Sequence, residues 1–294
     1  MSGAAFIGID WGSTNLRGWL LDAEGGGLDA RAAPSGAAGL RADDFAPTLD
    51  RLIEGWPALP VLACGMVGSR QGWIEAPYVP SPASAATLAA ALIAAPGRPD
   101  VRIVPGVALT DADGALVDVM RGEETQTLGL DADDAALLLC PGTHAKWIES
   151  ADGEIRDFQT FMTGELNALL GRHSVLRHSV GGEAVPDRTF LAAVREMLDG
   201  GALSAALFSV RVGSLDGRLS PAAAASRLSG LVIGAEIAAG VARFGRQPLS
   251  IIGDGGLIAF YATALKEAGR PDVRPVDGAG AVCRGLARIW RLAP

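Results

Sequence analysis

The sequence predicts an α/β protein of two domains that are built on one plan. Its 294 residues exceed the roughly 100–200 residues that are usual for a single domain. Each half opens with a strand, a loop rich in glycine and threonine, a second strand, a turn and a third strand. Such a repeat indicates a duplicated fold, so we place a boundary after residue 134 and expect domains 1–134 and 135–294.

The elements of the first half follow from short apolar runs and from helical spacing. Apolar runs bounded by turn residues predict strands at 6–10, 16–22, 28–33, 60–66 and 101–105. Apolar residues at helical spacing predict a helix over 43–56, and an alanine-rich run predicts another over 83–95. The segment 120–128 begins a helix whose first turn is acidic.

The second half is read in the same way, with more helix. Its strands are predicted at 135–140, 147–150, 154–158 and 250–252. Its helices are predicted at 164–170, 189–198, 203–212, 221–241, 257–267 and 279–292.

Charge and composition exclude several classes of protein. The formal net charge of −8 disfavours nucleic acid as a partner, because such proteins need a basic face. The weakly polar run 83–95 is too short to span a membrane, and the run 228–244 is interrupted by Glu236. The N-terminus lacks the pattern of a signal peptide, and the three cysteines have no close spacing, which indicates free thiols in a reducing compartment. We therefore expect a cytoplasmic protein without a membrane or nucleic-acid partner, and we leave a homodimer open.

The first motif is the loop between the first two predicted strands, which contains Asp10, Gly12, Ser13, Thr14 and Asn15. At a hairpin tip, backbone N–H groups can face phosphate oxygens, and a hydroxyl group adds a donor. An aspartate at that place can hold Mg²⁺ through water. An ordinary Asp-x-Gly turn would account for this segment equally well.

The second motif is the matching loop of the second half, with Gly142, Thr143, His144 and Lys146. Two such hairpins would hold the β- and γ-phosphates of a nucleotide from both sides. Lysine occurs at only one other position, Lys266, so a lysine within this loop favours a binding role over that of a solvated surface residue. We interpret His144 as a phosphate or substrate contact.

The third motif is the run of Gly253, Asp254, Gly255 and Gly256 between a predicted strand and a predicted helix. Ile258 stands where the dinucleotide fingerprint needs its last glycine, which argues against that site. A glycine turn against which a flat adenine ring lies fits better, and a tight turn without a ligand is the alternative. The chain also lacks the glycine-rich lysine motif of P-loop proteins.

Together, the three glycine loops resemble the phosphate-1, phosphate-2 and adenosine motifs of the sugar-kinase, actin and heat-shock chaperone superfamily. This resemblance implies two ribonuclease-H-like (actin-like ATPase) domains with a cleft between them. ATP would bind mainly to the C-terminal domain, and the other substrate mainly to the N-terminal domain.

A closer resemblance, to the 2-keto-3-deoxygalactonokinase family, runs along nearly the whole chain. It is carried by DWGSTNLR (10–17), GMVGSRQGW (65–73), EAPY (75–78), MRGEETQ (120–126), PGTHAKW (141–147) and FMTGEL (161–166). The family often has serine where this chain has Ala145. The resemblance implies ATP- and Mg²⁺-dependent phosphorylation of the 6-hydroxyl of 2-dehydro-3-deoxy-D-galactonate, in galactonate catabolism.

Such a reaction needs a base close to a primary hydroxyl group. Glu123 and Glu124 are the candidates, because their order relative to the Gly-Thr loop is similar to that around the catalytic aspartate of glycerol- and xylulose-type kinases. Acidic residues also favour the first turn of any helix. We expect Glu123 to be the base, with Asp10 as a further catalytic residue that holds Mg²⁺ through water.

The sugar acid would need a cation and a surface to lie on. The resemblance places Arg70 and Gln71 where related kinases grip substrate hydroxyls, and an arginine can bind a carboxylate with two hydrogen bonds. Arg17 is a further candidate, and Trp73 could pack on the apolar face of the sugar. A surface ion pair for Arg70 and core packing for Trp73 are the alternatives.

Two other functions stay open on the sequence alone. One is a kinase of the same fold that acts on another sugar acid or ketose. The other is a non-catalytic actin-like nucleotide-binding protein, which would need neither the Arg70-Gln71 pair nor the two adjacent glutamates.

Overall fold

The computed structural model describes residues 3–131, 136–253 and 255–293, and it alternates short strands with helices. Its strands are β1 (Phe6–Trp11), β2 (Leu16–Leu21), β3 (Gly27–Ala33), β4 (Val61–Gly65), β5 (Tyr78–Pro80), β6 (Ala83–Ser84), β7 (Ile93–Ala95), β8 (Arg98–Ile103), β9 (Gly106–Thr110), β10 (Leu116–Met120), β11 (Leu137–Cys140), β12 (Ala145–Ala151), β13 (Glu154–Phe161), β14 (Leu249–Ile251) and β15 (Val273–Pro275). Its α-helices are α1 (Phe45–Ile53), α2 (Ala85–Ala90), α3 (Glu123–Leu128), α4 (Thr163–His173), α5 (Arg188–Leu198), α6 (Leu203–Leu215), α7 (Pro221–Phe244), α8 (Gly255–Glu267) and α9 (Gly278–Trp290).

The chain forms two compact units. The first comprises Met1–Ala135, Ile148–Phe158 and Asp277–Pro294, and the second comprises Ala136–Trp147 and Gln159–Val276. This division differs from the boundary at 134, which assigned everything beyond it to the second domain. The reason is that α9 packs on β1, β2, β4 and α3 of the first unit, a long-range contact for which the local sequence carries no signal.

A six-stranded sheet, ordered β3-β2-β1-β4-β8-β7, forms the centre of the first unit. β1 pairs with β2 in antiparallel and with β4 in parallel orientation. Five of the six residues of β1 are buried, as expected of a central strand that is covered on both faces. A second sheet, β10-β9-β5, leads into α3.

The helix predicted over 83–95 is confirmed only over Ala85–Ala90, and both ends of the predicted range form strands instead. Ser84 caps α2, and its hydroxyl oxygen accepts a hydrogen bond from the Thr87 N–H, but the helix ends at Ala90. The chain then turns through Gly97, whose φ is +70°, so that β7 pairs antiparallel with β8.

α3 and α9 cross at very short distance because glycines stand at the crossing. A Cβ on Gly129 would lie 1.8 Å from the carbonyl oxygen of Ala281, and one on Gly285 would lie 1.9 Å from that of Thr125. Arg284 donates from Nε to the Gly129 carbonyl oxygen at 2.8 Å. The C-terminal end of α3 is thus held by a helix from the far end of the sequence.

The second unit contains β11, β14 and β15, which pair in parallel, together with α4 to α8. Its sheet follows the order β15-β14-β11-β12-β13, and the distal part of the β12–β13 hairpin, 148–158, is counted with the first unit. There β13 pairs with β6.

The long helix α7 is the centre of the second unit. Ser220 caps it by accepting the Ala223 N–H, and Pro221 stands in the first turn, where the missing N–H is not needed. A Cβ on Gly230 would lie 2.4 Å from the Phe190 carbonyl oxygen of α5, so small residues let the two helices approach. α7 is the one helix among the described residues that is long and apolar enough to span a membrane by length and composition, and most of it is buried within its unit.

Candidate active site

The loop between β1 and β2 is held by backbone hydrogen bonds that leave its tip exposed. The Gly12 N–H donates to the Asn15 carbonyl oxygen at 2.9 Å, which closes the hairpin. The carbonyl oxygens of Gly12, Ser13 and Thr14 accept from N–H groups of residues 36–38 at 2.9–3.1 Å. The side chains of Ser13, Thr14 and Asn15 remain exposed, as a ligand-binding tip requires.

Asp10 lies at the end of β1, where its carboxylate is under opposing influences. Arg17, its register partner on β2, approaches it to 3.8 Å. Burial raises the pKa of Asp10 to about 6, the charge of Arg17 lowers it, and the charge of Glu123 raises it. The carboxylates of Asp10 and Glu123 are therefore close enough to interact.

Two glycines bring the end of β4 and the start of α3 against the end of β1. Gly65 has a φ of +90°, and a Cβ there would lie 2.8 Å from the Trp11 carbonyl oxygen. Gly122 has a φ of +110°, and its Cβ would lie 3.4 Å from the Cα of Gly65. A larger residue at Gly65 would push the ends of β1 and β4 apart, whereas at Gly122 it is the positive φ that favours glycine.

The two glutamates at the start of α3 lie in different environments. Glu124 is fully buried; its Oε2 accepts the Gly122 N–H at 2.6 Å, and its Oε1 accepts the Thr125 hydroxyl at 3.1 Å. Burial, followed by the charge of Glu123, raises the pKa of Glu124 to about 7. Glu123 is half-buried, and its Oε2 accepts the Arg121 N–H at 3.2 Å. Of the two, Glu123 has the more accessible carboxylate.

Arg70 and Gln71 follow β4 on an exposed loop. The Nε of Arg70 lies 3.3 Å from Oε1 of Glu75, and the side chains of these two residues are 78% and 51% exposed. The ion pair is the alternative that the sequence left open, and in an exposed pair it contributes little stability. The carboxylate of a substrate could replace Glu75 as the partner of Arg70 at little cost in free energy.

Trp73 does not fit the interpretation as a ring on which the sugar lies. Only 7% of it is exposed, because it stacks on Phe45 with ring centroids 5.9 Å apart and meets Trp11 edge-on at 6.4 Å. Trp73 is a core residue, and its buried ring supports the loop that carries Arg70.

In the second unit, the loop between β11 and β12 packs on the first turn of α4. A Cβ on Gly164 would lie 2.4 Å from the Gly142 carbonyl oxygen, and the Thr143 carbonyl oxygen accepts the Glu165 N–H at 3.0 Å. Nε2 of His144 lies 2.6 Å from a carboxylate oxygen of Glu165. Lys146, at the start of β12, is 5% exposed, so it is not a solvated surface lysine.

A cavity of about 540 Å³ lies beside this loop within the second unit, a size that suits a small organic ligand. Its lining combines small polar groups with apolar side chains: Gly142, Thr143, Thr163, Gly164, Asn167, Glu183, Ala184, Ser229, Val232, Ile233, Gly256, Leu257, Phe260 and Tyr261. The second and third glycine motifs thus meet at one cavity.

Other residues predicted for nucleotide binding stand around that cavity without lining it. Among the described residues of the two loops, His144, Lys146, Gly253 and Gly255 do not line it. Gly253 and Gly255 are exposed. Asp254 lies outside the described residues.

Sequence reasoning missed the helical side of the cavity. Thr163 and Asn167 on α4, and Gly256 and Phe260 on α8, line it at a spacing of four residues, which places each pair on one helix face. That spacing is visible in the sequence, but apolar and small residues at such intervals occur in every packed helix.

The acidic residues are suited to a hard cation. Carboxylate oxygens and water are the ligands that Mg²⁺ prefers, and the charge of Glu123 raises the pKa of Asp10, which indicates negative charge that a cation would offset. Within the described ranges, no group of three or more His, Cys, Asp or Glu side chains is placed to hold a metal directly. A magnesium ion held through water is compatible with both findings.

Comparison with known proteins relates the chain to one family along its length. A model of the 2-keto-3-deoxy-galactonokinase family matches residues 10–289. The protein from Rhizobium meliloti (strain 1021) named "Probable 2-dehydro-3-deoxygalactonokinase DgoK1" is 39% identical over 303 residues, which covers 98% of each chain. The 2-dehydro-3-deoxygalactonokinase of Escherichia coli (strain K12) is 35% identical over 290 residues, with 97% of each chain covered.

Solved structures agree with the sequence comparison. A crystal structure from Sinorhizobium meliloti, described as "a putative 2-dehydro-3-deoxygalactonokinase protein", superposes with a TM-score of 0.86 at 38% identity and covers 97% of this chain and 98% of that one. The activator of the 2-hydroxyisocaproyl-CoA dehydratase from Clostridium difficile, with bound ADPNP, has a TM-score of 0.50 at 13% identity and covers 98% of this chain and 95% of that one, a likeness of fold alone. The fold is thus the two-domain α/β fold of the actin-like ATPases. On sequence and structure together, this chain belongs to the 2-keto-3-deoxy-galactonokinase family.

Proposed function

We propose that this protein is a sugar-acid kinase that transfers the γ-phosphoryl group of ATP to the 6-hydroxyl of 2-dehydro-3-deoxy-D-galactonate. The products are ADP and 2-dehydro-3-deoxy-6-phosphogalactonate, in galactonate catabolism. The single observation that carries the proposal is family membership along 10–289, and the cavity beside Gly142, Thr143 and Gly256 supports it. The alternative of a non-catalytic actin-like protein is not favoured by relatives that are named as kinases.

ATP would occupy the second unit. Its base would lie against the apolar side of the cavity, next to Gly256 and Leu257, and its phosphates against Gly142 and Thr143. Lys146 and the loop of Gly253, Asp254 and Gly255 would complete this side, with His144 as a further phosphate contact held by Glu165. The hairpin tip of Gly12, Ser13, Thr14 and Asn15 would supply the other phosphate donors.

An acidic side chain of the first unit, Glu123, would accept the proton that the reaction releases. The 6-hydroxyl oxygen attacks the γ-phosphorus, its proton passes to the Glu123 carboxylate, and the bond to the β,γ-bridging oxygen breaks to release ADP. Glu124 would hold the first turn of α3 rather than contact the substrate, because it is fully buried. Bound Mg²⁺, held through water by Asp10, would offset the charge of the phosphates.

The carboxylate of the sugar acid would pair with Arg70, next to Gln71, with Arg17 as a further substrate contact. Arg70 is the better anchor, because Arg17 already faces Asp10 whereas the partner of Arg70 is an exposed glutamate. This assignment makes the first unit the sugar-acid side and the second the ATP side. We further expect a cytoplasmic enzyme, and light scattering would test whether it forms a homodimer.

An acceptor screen tests the function. ADP release is measured with a coupled assay over 2-keto-3-deoxy sugar acids of both C4 configurations and over neutral ketoses, with ATP and Mg²⁺ constant. The proposal predicts the highest kcat/KM for 2-dehydro-3-deoxy-D-galactonate. A higher value for another sugar acid or a ketose would assign the protein to a different kinase reaction, and ATP turnover that no acceptor stimulates would exclude a kinase.

A further inference from the structure

A carboxylate is buried within α7, the long apolar helix of the second unit. Glu236 of α7 is 2% exposed, and its helix neighbours Ile233 and Ile237 are core residues. Burial raises the pKa of Glu236, so the removal of water disfavours the ionised form of this side chain. Apolar residues of similar volume often replace buried ionic groups without loss of stability, so core packing alone does not explain this side chain.

Three donors from three different elements converge on this carboxylate. The Trp147 indole Nε1 donates to Oε1 at 3.0 Å, and the Tyr261 hydroxyl donates to Oε2 at 2.6 Å. The Thr163 side chain is also hydrogen-bonded to Glu236, and all three bonds lower its pKa. A carboxylate accepts on both oxygens, so the arrangement matches its ionised form.

Each donor belongs to an element that shapes the candidate nucleotide site. Thr163 and Tyr261 line the 540 Å³ cavity from α4 and α8. Trp147 follows Lys146 in β12, and its ring packs so closely on α7 that a Cβ on Gly240 would lie 2.5 Å from it. The carboxylate itself is not among the described residues that line the cavity.

We propose that Glu236 is a positioning residue for the nucleotide: it ties β12, α4 and α8 together and so fixes the walls of the cavity and the backbone of Lys146. The proposal rests on the assignment of this cavity to ATP. Loss of the hydrogen bonds to Glu236 would weaken nucleotide binding, whereas binding of the sugar acid, assigned to the first unit, would be unaffected.

Three variants separate this role from core packing. Glu236→Leu keeps a buried side chain but removes the acceptor that the Trp147 indole and the Tyr261 hydroxyl share. Glu236→Gln keeps the acceptor for Trp147, and its amide can donate to the Tyr261 oxygen. Ile237→Ala is the matched control, because it removes a fully buried side chain from the same helix without touching the network.

The readouts are the Kd for ADP, by isothermal titration calorimetry at a temperature where each variant is folded, and the KM values of both substrates. We expect Glu236→Leu to weaken ADP binding about 10- to 100-fold, the range seen when outer partners of metal ligands are removed. The KM for the sugar acid should change less than twofold, and Glu236→Gln should restore most of the affinity. Ile237→Ala should lower the melting temperature but leave the Kd for ADP unchanged.

The proposal is overturned if folded Glu236→Leu binds ADP as wild type does, or if Ile237→Ala loses as much affinity. Should Glu236→Leu not fold, Tyr261→Phe removes one hydroxyl and must give a smaller loss in the same direction; unchanged ADP binding there would also overturn it. A wild type that binds ADP but phosphorylates no sugar acid would refute the proposed function alone, since the ADP measurements would still decide the role of Glu236.

Discussion

The buried carboxylate of Glu124 makes a sharp prediction about stability and pH. In Glu124→Gln, the amide oxygen can still accept the Gly122 N–H, and the amide nitrogen can donate to the Thr125 hydroxyl. The first turn of α3 should therefore be kept, while the ability to ionise is lost. The difference in unfolding free energy between wild type and variant then reports the ionisation of one side chain.

The direction in which stability changes with pH follows from the raised pKa of Glu124. The folded protein holds the Glu124 proton up to about pH 7, whereas the ordinary value is 4.5. Below pH 4.5 the group is protonated in both states. Between pH 4.5 and 7 the unfolded state ionises while the folded state keeps the proton, so the free energy of unfolding falls across this window and levels off above pH 7. From pH 5 to pH 8 this loss amounts to about 2–3 kcal/mol in wild type, at 1.36 kcal/mol for each pH unit between the two values. Glu124→Gln should be free of it.

Urea unfolding at half-unit steps from pH 5 to pH 8, followed by circular dichroism, measures the effect. Asp10→Asn serves as the comparison, because the pKa of Asp10 is raised from 3.8 to only about 6. The difference in unfolding free energy between wild type and Asp10→Asn should therefore change with pH mainly below pH 6. Curves for wild type and Glu124→Gln that run parallel across the range would refute the reasoning, and would mean that water or rearrangement solvates this carboxylate.

Three further outcomes are expected. Glu123→Gln should lower kcat about 10²–10⁴-fold, the usual contribution of general-base catalysis, with little change in either KM; steady-state kinetics with an unchanged kcat would remove Glu123 as the base. Arg70→Lys keeps the charge but loses the planar fork, so the KM for the sugar acid should rise while that for ATP stays constant, and an unchanged sugar-acid KM would leave Arg70 with its surface ion pair only. Gly285→Ala should destabilise the first unit severely, because its Cβ would lie 1.9 Å from the Thr125 carbonyl oxygen; thermal unfolding should show Gly171→Ala, whose nearest contact is 3.7 Å, as tolerated, and equal melting temperatures would contradict the crossing geometry.

Local signals in the sequence located the strands and loops of the candidate site well. The apolar run that ends at Asp10 became β1, and the glycine loop that follows 135–140 became the connection between β11 and β12. These segments are predictable because a short buried strand and a glycine turn are both determined by neighbouring residues.

Features that depend on distant contacts could not be predicted in this way. The run 83–95 is rich in alanine, a strong helix former, yet its last residues, Ile93–Ala95, pair with β8, because tertiary pairing outweighs local propensity. Trp73 was open to two interpretations, since only the position of Phe45 and Trp11 in space decides that its ring is covered. The network around Glu236 joins residues up to 114 positions apart, from Trp147 to Tyr261, and a lone glutamate in an apolar helix does not reveal its partners.

The place of α9 has a consequence for how the protein is made. The groove on α3 that α9 fills belongs to residues translated early, whereas α9 emerges from the ribosome only after all of 136–276. Until then, Gly129 and the surface of α3 that α9 covers lack this partner, so the first unit cannot complete its core before α9 has been made. Chains that end before residue 278 should accordingly have an incomplete first unit, which is the kind of exposed intermediate that chaperones bind.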